Sequence, residues 1–298
     1  MVPVTGSHAP RLNIIYCRPV AVFAAIVFAF VSALDGSGRL AAQSRDQGGP
    51  AGGLPGQAGT QSAGDIEAVP NRPTFSTTAE TVWKGVFEIE YGLELARGHQ
   101  NINGLLTFGL SGNLEVRFGN NPFVRDGGVA GFGDSGAGFK YRFLKERGAL
   151  PTLSVLYTAT LPTATAESGS GAVGHSAGLL VSKDFGRHHL DFNESIQWLG
   201  RNGAGGFDRN YFTALSYSHP ITGKLGFSGE IAGFSRTNAT IGATLTILQA
   251  LTYSVSPRLV LDGGCYVAPV GALPHVTFFA GATYAVVDLY RRLRHTSR

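Results

Sequence analysis

The sequence predicts an all-β protein: a transmembrane antiparallel up-and-down β-barrel of about 12 strands, preceded by a signal peptide and a flexible linker. Three observations lead to this fold. Short segments in which apolar and polar residues alternate recur along most of the chain. Glycine is abundant, with 42 of 298 residues, and only 15% of the residues are charged. An apolar run near the N-terminus follows basic residues, as in an export signal.

Residues 1–42 are predicted to be a secretory signal peptide, because Arg11 and Arg18 precede an apolar run over residues 20–34. The alternative is an uncleaved anchor, but a membrane-spanning helix needs about 20 apolar residues and this run is shorter. Residues 43–75 are predicted to be a flexible periplasmic linker. Most of this segment consists of Gly, Gln, Ala and Ser, which cannot bury enough apolar surface to offset the entropy of ordering.

Residues 76–286 are predicted to form the barrel, and the alternation is clearest in its first strand. Between Val86 and Leu95 every second residue is Glu or Gly, and the intervening residues are apolar. A period of two places the apolar side chains on one face and the polar ones on the other. The later strands are expected at residues 102–111, 114–118, 137–143, 152–161, 173–181, 188–198, 211–218, 225–234, 240–254, 259–267 and 276–284.

The connections between these segments alternate in length. Short turns are expected at residues 220–223 and 256–258, and longer loops at residues such as 120–135. An even number of strands brings both ends of the barrel to one side, so the short turns are expected at the periplasm and the long loops outside. Residues 287–298 are predicted to be a basic tail. The chain therefore departs from barrels that end on an aromatic residue, the feature that the outer-membrane assembly machinery recognises.

The charge and motif content argues against two classes of function. The formal net charge of +4 is carried by the two ends of the chain, so no nucleic-acid partner is predicted. His189, Asp191 and Ser195 share one predicted strand face, but residues two apart on a strand are separated by about 6.5 to 7 Å. No hydrolase, metalloprotease or nucleotide-binding motif is present. We therefore predict no enzyme activity, no catalytic residue, no metal ligand and no cofactor.

The polar face of the predicted strands carries the candidate pore-lining residues. Charges on the lumen wall set the ion selectivity of a pore. The alternative is that they pair with one another and fill the interior, because about 12 strands lies between the filled eight-stranded and the open sixteen-stranded barrels. Phe234, Tyr266 and Phe279 are also expected inside, where they would suit aromatic compounds. The charged set is Glu88, Glu90, Glu94, Glu115, Arg117, Lys140, Arg142, Asp191, Glu230 and Asp262.

Several spaced motifs carry a family resemblance. Residues 72–76 (RPTFS), 84–92 (KGVFEIEYG), 133–135 (GDS) and 161–163 (LPT) resemble landmarks of outer-membrane proteins grouped as transporters of the MetA pathway of phenol degradation. The resemblance covers residues 72–284. It implies a barrel in the outer membrane, in contact with lipid, that transports small solutes, with aromatic or hydrophobic compounds as one class. A non-conducting structural or binding barrel, an outer-membrane hydrolase and a soluble secreted β-protein remain the alternatives.

Overall fold

The computed structural model describes residues 66–165, 169–203, 205–236, 242–271 and 276–290. The predicted signal peptide, the first part of the predicted linker and the end of the predicted basic tail lie outside the described residues. Export and cleavage therefore stay predictions.

Thirteen strands form in the described part of the chain, and all pairings between named strands are antiparallel. They are β1 (Val86–Ala96), β2 (His99–Gly109), β3 (Leu114–Asp126), β4 (Val129–Gly131), β5 (Ser135–Leu144), β6 (Thr152–Leu161), β7 (Gly174–Phe185), β8 (His188–Gly200), β9 (Phe207–Pro220), β10 (Leu225–Phe234), β11 (Thr244–Ser256), β12 (Leu259–Val270) and β13 (Val276–Asp288).

The sheet closes on itself. Apart from β4, each strand pairs with the next along the chain, with β3 pairing with β5, and β1 also pairs with β13, so that twelve strands surround one interior. The short strand β4 stands outside this ring, because it pairs only with the end of β3. The predicted barrel of about 12 strands is therefore confirmed. The described residues contain no helix with the length and hydrophobicity that crossing a bilayer requires.

Most strands differ from their predicted limits by a few residues, and β3 differs most. Residues 120–126 were expected to begin a long Gly-rich loop, yet they extend β3 and pair with the start of β2 and with β4. Backbone pairing outside the membrane does not require apolar side chains, so the alternation ends before the strand does. The segment predicted at residues 240–254, with a composition close to that of a helix, forms β11 at Thr244–Ser256.

The outer face of the barrel is apolar. On β13, Phe278 is 62% exposed, whereas its neighbour Phe279 points inward and is 7% exposed. The same contrast holds in other strands, and a surface of this kind suits contact with lipid rather than water. Glu194 departs from the pattern: it stays on the outer face within regular pairing, and the Thr213 hydroxyl donates a hydrogen bond to its carboxylate. Exposed outward side chains include Leu93, Phe139, Val155, Leu179, Tyr211, Ile231, Leu251 and Tyr284.

Candidate functional site: the barrel interior and its plug

The segment that precedes β1 lies inside the barrel. We call residues 66–83 the plug. Its first ten residues, 66–75, were expected to be flexible linker, but the structure places them against the inner wall, and Ala68 and Val69 are buried. The reason is that carboxylates of the wall accept hydrogen bonds from the plug backbone, which would otherwise need water.

The plug enters beside the turn between β11 and β12, where the Ala68 amide donates to the Pro257 carbonyl over 2.9 Å. It then reaches the two buried glutamates of β1. The Val69 amide donates to Glu88 over 2.7 Å, and the amides of residues 71 and 72 each donate to Glu90 over 3.0 Å. These two carboxylates therefore hold the plug by its backbone.

Arg72 makes the most extensive side-chain contact of this part of the plug. Its Nε and Nη2 atoms each donate to Asp262 of β12 over 3.1 Å, and Nη1 donates to Asn103 of β2 over 2.7 Å. The guanidinium lies over a pair of glycines, Gly92 and Gly281, that face each other across β1 and β13. A Cβ atom at position 92 would stand 2.2 Å from the guanidinium, so the bare glycine is what makes room for it.

Beyond Arg72 the plug continues around the inner wall to β10 and β8. The amides of Phe75 and Ser76 donate to Glu230 of β10 over 2.7 and 2.6 Å. Asn193 of β8 accepts from the Thr77 amide over 2.7 Å and donates to the Thr77 carbonyl over 2.9 Å. Both ends of each of these contacts are at least partly buried, so the wall side chains take the place of water.

The last part of the plug is held by a buried charge cluster. The Lys140 ammonium of β5 donates to the carbonyls of Thr78 and Glu80 over 2.9 and 2.6 Å, and it lies 3.3 Å from Glu115 of β3. Glu115 in turn accepts from the Val82 amide over 2.6 Å. The side chains of Lys140 and Glu115 are 1% and 0% exposed, so both charges are buried and each depends on protein partners.

The ten predicted pore-lining residues thus all face the interior, but most of them bond to the plug. Arg142 pairs with Glu80, and Arg117 lies 3.4 Å from the Asn71 side-chain oxygen. Asp191 accepts from Ser182, whose hydroxyl also accepts from the amide of residue 79. Their role in lining a conducting path stays a prediction. Eight contact the plug directly through hydrogen bonds or ion pairs: Glu88, Glu90, Glu115, Arg117, Lys140, Arg142, Glu230 and Asp262.

A cavity of about 260 Å³ lies next to the turn of the plug at Arg72 and Phe75. One side is apolar: the Phe75 ring packs against Tyr266 at a centroid distance of 5.1 Å, and Phe279 lies beyond Tyr266 at 6.4 Å. The polar lining includes Glu94, which accepts from Asn103 over 2.7 Å. Glu94 and Phe279 are paired neighbours on β1 and β13, so the cavity offers aromatic rings and a carboxylate side by side.

The wall residues of this cavity could be predicted, whereas the plug residues were missed. Tyr266 and Phe279 lie on the inner face, as the alternation predicts. Arg72 and Phe75 were assigned to the linker. The available signal was the motif at residues 72–76, which the family resemblance already singled out as distinctive.

His189 and Asp191 come together more closely than their spacing suggests. Asp191 Oδ1 lies 3.0 Å from His189 Nε2, and Asp184 lies 2.6 Å from the other ring nitrogen. Both imidazole nitrogens thus face carboxylates, and His189 is 2% exposed, which leaves no nitrogen free to activate a nucleophile. Within the residues that the structure describes, no three His, Cys, Asp or Glu side chains are arranged to hold a metal ion.

Comparisons with known proteins give a family match for this sequence and solved structures with a similar fold. The sequence model of a family described as "Putative MetA-pathway of phenol degradation" matches residues 70–268. An outer-membrane channel from Pseudomonas putida F1 is 12% identical, covers 76% of this chain and 100% of its own, and has a TM-score of 0.51. The NanC porin is 9% identical, covers 67% of this chain and 100% of its own, with a TM-score of 0.53. At these identities the likeness concerns the fold alone. No curated protein sequence matches the chain.

Proposed function

The chain belongs to the family of the MetA pathway of phenol degradation, and from this premise we propose that it is an outer-membrane channel for small solutes. The observation that carries the proposal is a closed barrel with an apolar outer face and a charged interior that keeps an open cavity of about 260 Å³. An apolar exterior suits lipid, and a charged interior suits water and polar solutes. Export by the N-terminal signal and insertion by the assembly machinery belong to the same proposal.

The cavity favours solutes with a single ring. An apolar cavity of about 150 Å³ is large enough to hold benzene, so the larger cavity here accommodates a ring with a substituent. Phe75, Tyr266 and Phe279 offer their rings to one face of such a solute, and the polar side offers Glu94 and Asn103 to a hydroxyl group. Phenol is therefore a suitable first probe.

The test is uptake by lipid vesicles that contain the purified, folded protein. We expect faster entry of phenol, and of small sugars to a lesser extent, than into vesicles without protein. Phe279→Ala should lower phenol uptake severalfold, because it removes a ring from the wall of the cavity. Phe278→Ala is the matched control, since the adjacent side chain faces outward. Equal phenol uptake by the two variants would show that this cavity lies off the solute path.

Ion selectivity gives a second test. Glu94 lines the cavity, and the low-dielectric wall strengthens its field on a passing ion. Glu94→Gln removes one negative charge with little change in shape, so the reversal potential under a salt gradient should move toward anion selectivity. The shift should be larger at low salt, because screening lengths are longer there. Glu146→Gln, in the turn after β5, serves as the control; an identical shift in both variants would argue against a path past Glu94.

The plug supports a second candidate, a structural or binding barrel that does not conduct. The backbone of the plug is bonded to β1, β8 and β10 across the interior. If folded protein shows neither conductance nor uptake, even after the plug has been loosened as described below, this second candidate replaces the channel.

A further inference from the structure

We propose that the plug is a latched gate: it closes the barrel while it is docked, and Arg72 is the latch that holds it. The inference rests on the proposed function, because a gate presupposes a barrel that conducts.

The path of the plug supports a closing role. Starting beside the turn after β11, it contacts β1, crosses to β10 and β8, and returns along β7, β5 and β3 to the start of β1. Asn71 bridges two strands that are not neighbours, since its amide group donates to Glu90 of β1 and its oxygen lies 3.4 Å from Lys140 of β5. A segment that follows the wall around its circumference narrows the interior of the barrel.

The chemistry of docking allows release. The plug is not a strand of the sheet, and the ring of twelve strands closes through β1 and β13 without it. Many of its bonds join backbone groups to charged side chains of the wall, such as Glu90 and Glu230. If the plug moves out, water entering the lumen can hydrate both partners, so no buried group is left unpaired. Undocking therefore need not disrupt the wall.

Arg72 makes the contact that holds the plug in its docked position. Its two bonds to Asp262 and one to Asn103 link the plug to β12 and β2 at once. The fork geometry of a guanidinium on a carboxylate gives both strength and orientation. Gly92 makes room for this contact, because the three atoms nearest to a Cβ at position 92 all belong to the Arg72 guanidinium.

Two variants should release the latch from opposite sides. Arg72→Gln removes the ion pair from the plug, and Gly92→Ala displaces the guanidinium from the wall. Each should raise the mean conductance severalfold in planar bilayers relative to the native protein. Arg97→Gln, an exposed arginine in the turn after β1, controls for charge. Gly119→Ala controls for a methyl group on the lumen face, because its nearest neighbour is 3.8 Å away.

A reversible lock separates plug movement from damage to the barrel. The hydroxyl oxygens of Thr78 in the plug and Ser182 in β7 lie 3.3 Å apart, so Thr78→Cys with Ser182→Cys places two sulfurs within bonding reach. Cys265 is replaced by Ser so that it cannot form a disulfide with either introduced cysteine. Added to Arg72→Gln, the oxidised lock should return the conductance to the native level, and a reductant should raise it again. Heat-modifiable migration on a gel verifies that each variant is folded.

The outcomes distinguish the gate from the channel. If folded Arg72→Gln and Gly92→Ala conduct like the native protein, or if the oxidised lock leaves a raised conductance unchanged, the gate is overturned while the channel stands. If every folded form, locked or released, neither conducts nor takes up phenol, the channel itself fails and the gate fails with it.

Discussion

Lys140→Met is expected to lower the free energy of unfolding by about 3 to 5 kcal/mol, the usual cost of removing one partner from a buried ion pair. The substitution leaves Glu115 buried without its ammonium partner and deprives the carbonyls of Thr78 and Glu80 of a donor. Methionine keeps most of the volume of lysine, so the lost charge rather than a cavity accounts for the effect.

Urea titration of the barrel refolded into lipid vesicles measures this change. Lys145→Met, an exposed lysine in the turn after β5, is the matched control and should alter stability by less than about 0.5 kcal/mol. A loss of similar size in both variants would mean that the buried cluster contributes nothing specific. The Lys140 variant should also expose the plug to protease at lower urea than the native protein.

Leu179→Arg is expected to cost about 2 to 4 kcal/mol, because it places a charge on the lipid face near the middle of a membrane strand. Leu179 is 42% exposed on the outer face, at the centre of β7. Thr158→Arg, on the inner face of the neighbouring strand β6, is the control, since its charge remains in the hydrated interior. Comparable losses in the two variants would contradict the assignment of faces.

The choice of control depends on the structure. Glycines of the inner wall look like natural sites for a tolerated arginine, but two of them have no room. A Cβ at Gly92 would meet Arg72, and a Cβ at Gly138 would stand 2.0 Å from the Tyr157 carbonyl oxygen. Effects at those two positions would report crowding and not the hydration of the lumen.

The strands and their faces could be predicted because alternation is a local property. In β1, the polarity of each residue indicates whether its side chain faces the lumen or the lipid, and Glu88 and Glu90 are buried inside as their positions predict. Glu194 of β8 shows the limit of prediction from alternation. The pattern marks Glu194 as a polar residue on an apolar face, but its partner Thr213 lies on the next strand and is identified only by the pairing of the two strands.

The plug could not be predicted because its partners are distant in the sequence. Its few apolar residues, such as Val69 and Phe75, show no regular spacing that would predict a buried face. The groups that order it come much later: Glu230 is 154 residues beyond Ser76, and Asp262 is 190 residues beyond Arg72. A charged lumen residue looks the same in a sequence whether it faces water or a peptide backbone.

These separations also order the assembly of the molecule. Arg72 needs Asp262 of β12, and Glu90 of β1 accepts from Thr283 of β13 over 3.3 Å, so both contacts wait for the last hairpin to be made. Contacts between residues so far apart form late, since the chain between them must first lose its freedom. The plug is synthesised before β1, but it is therefore the last part of the molecule to dock.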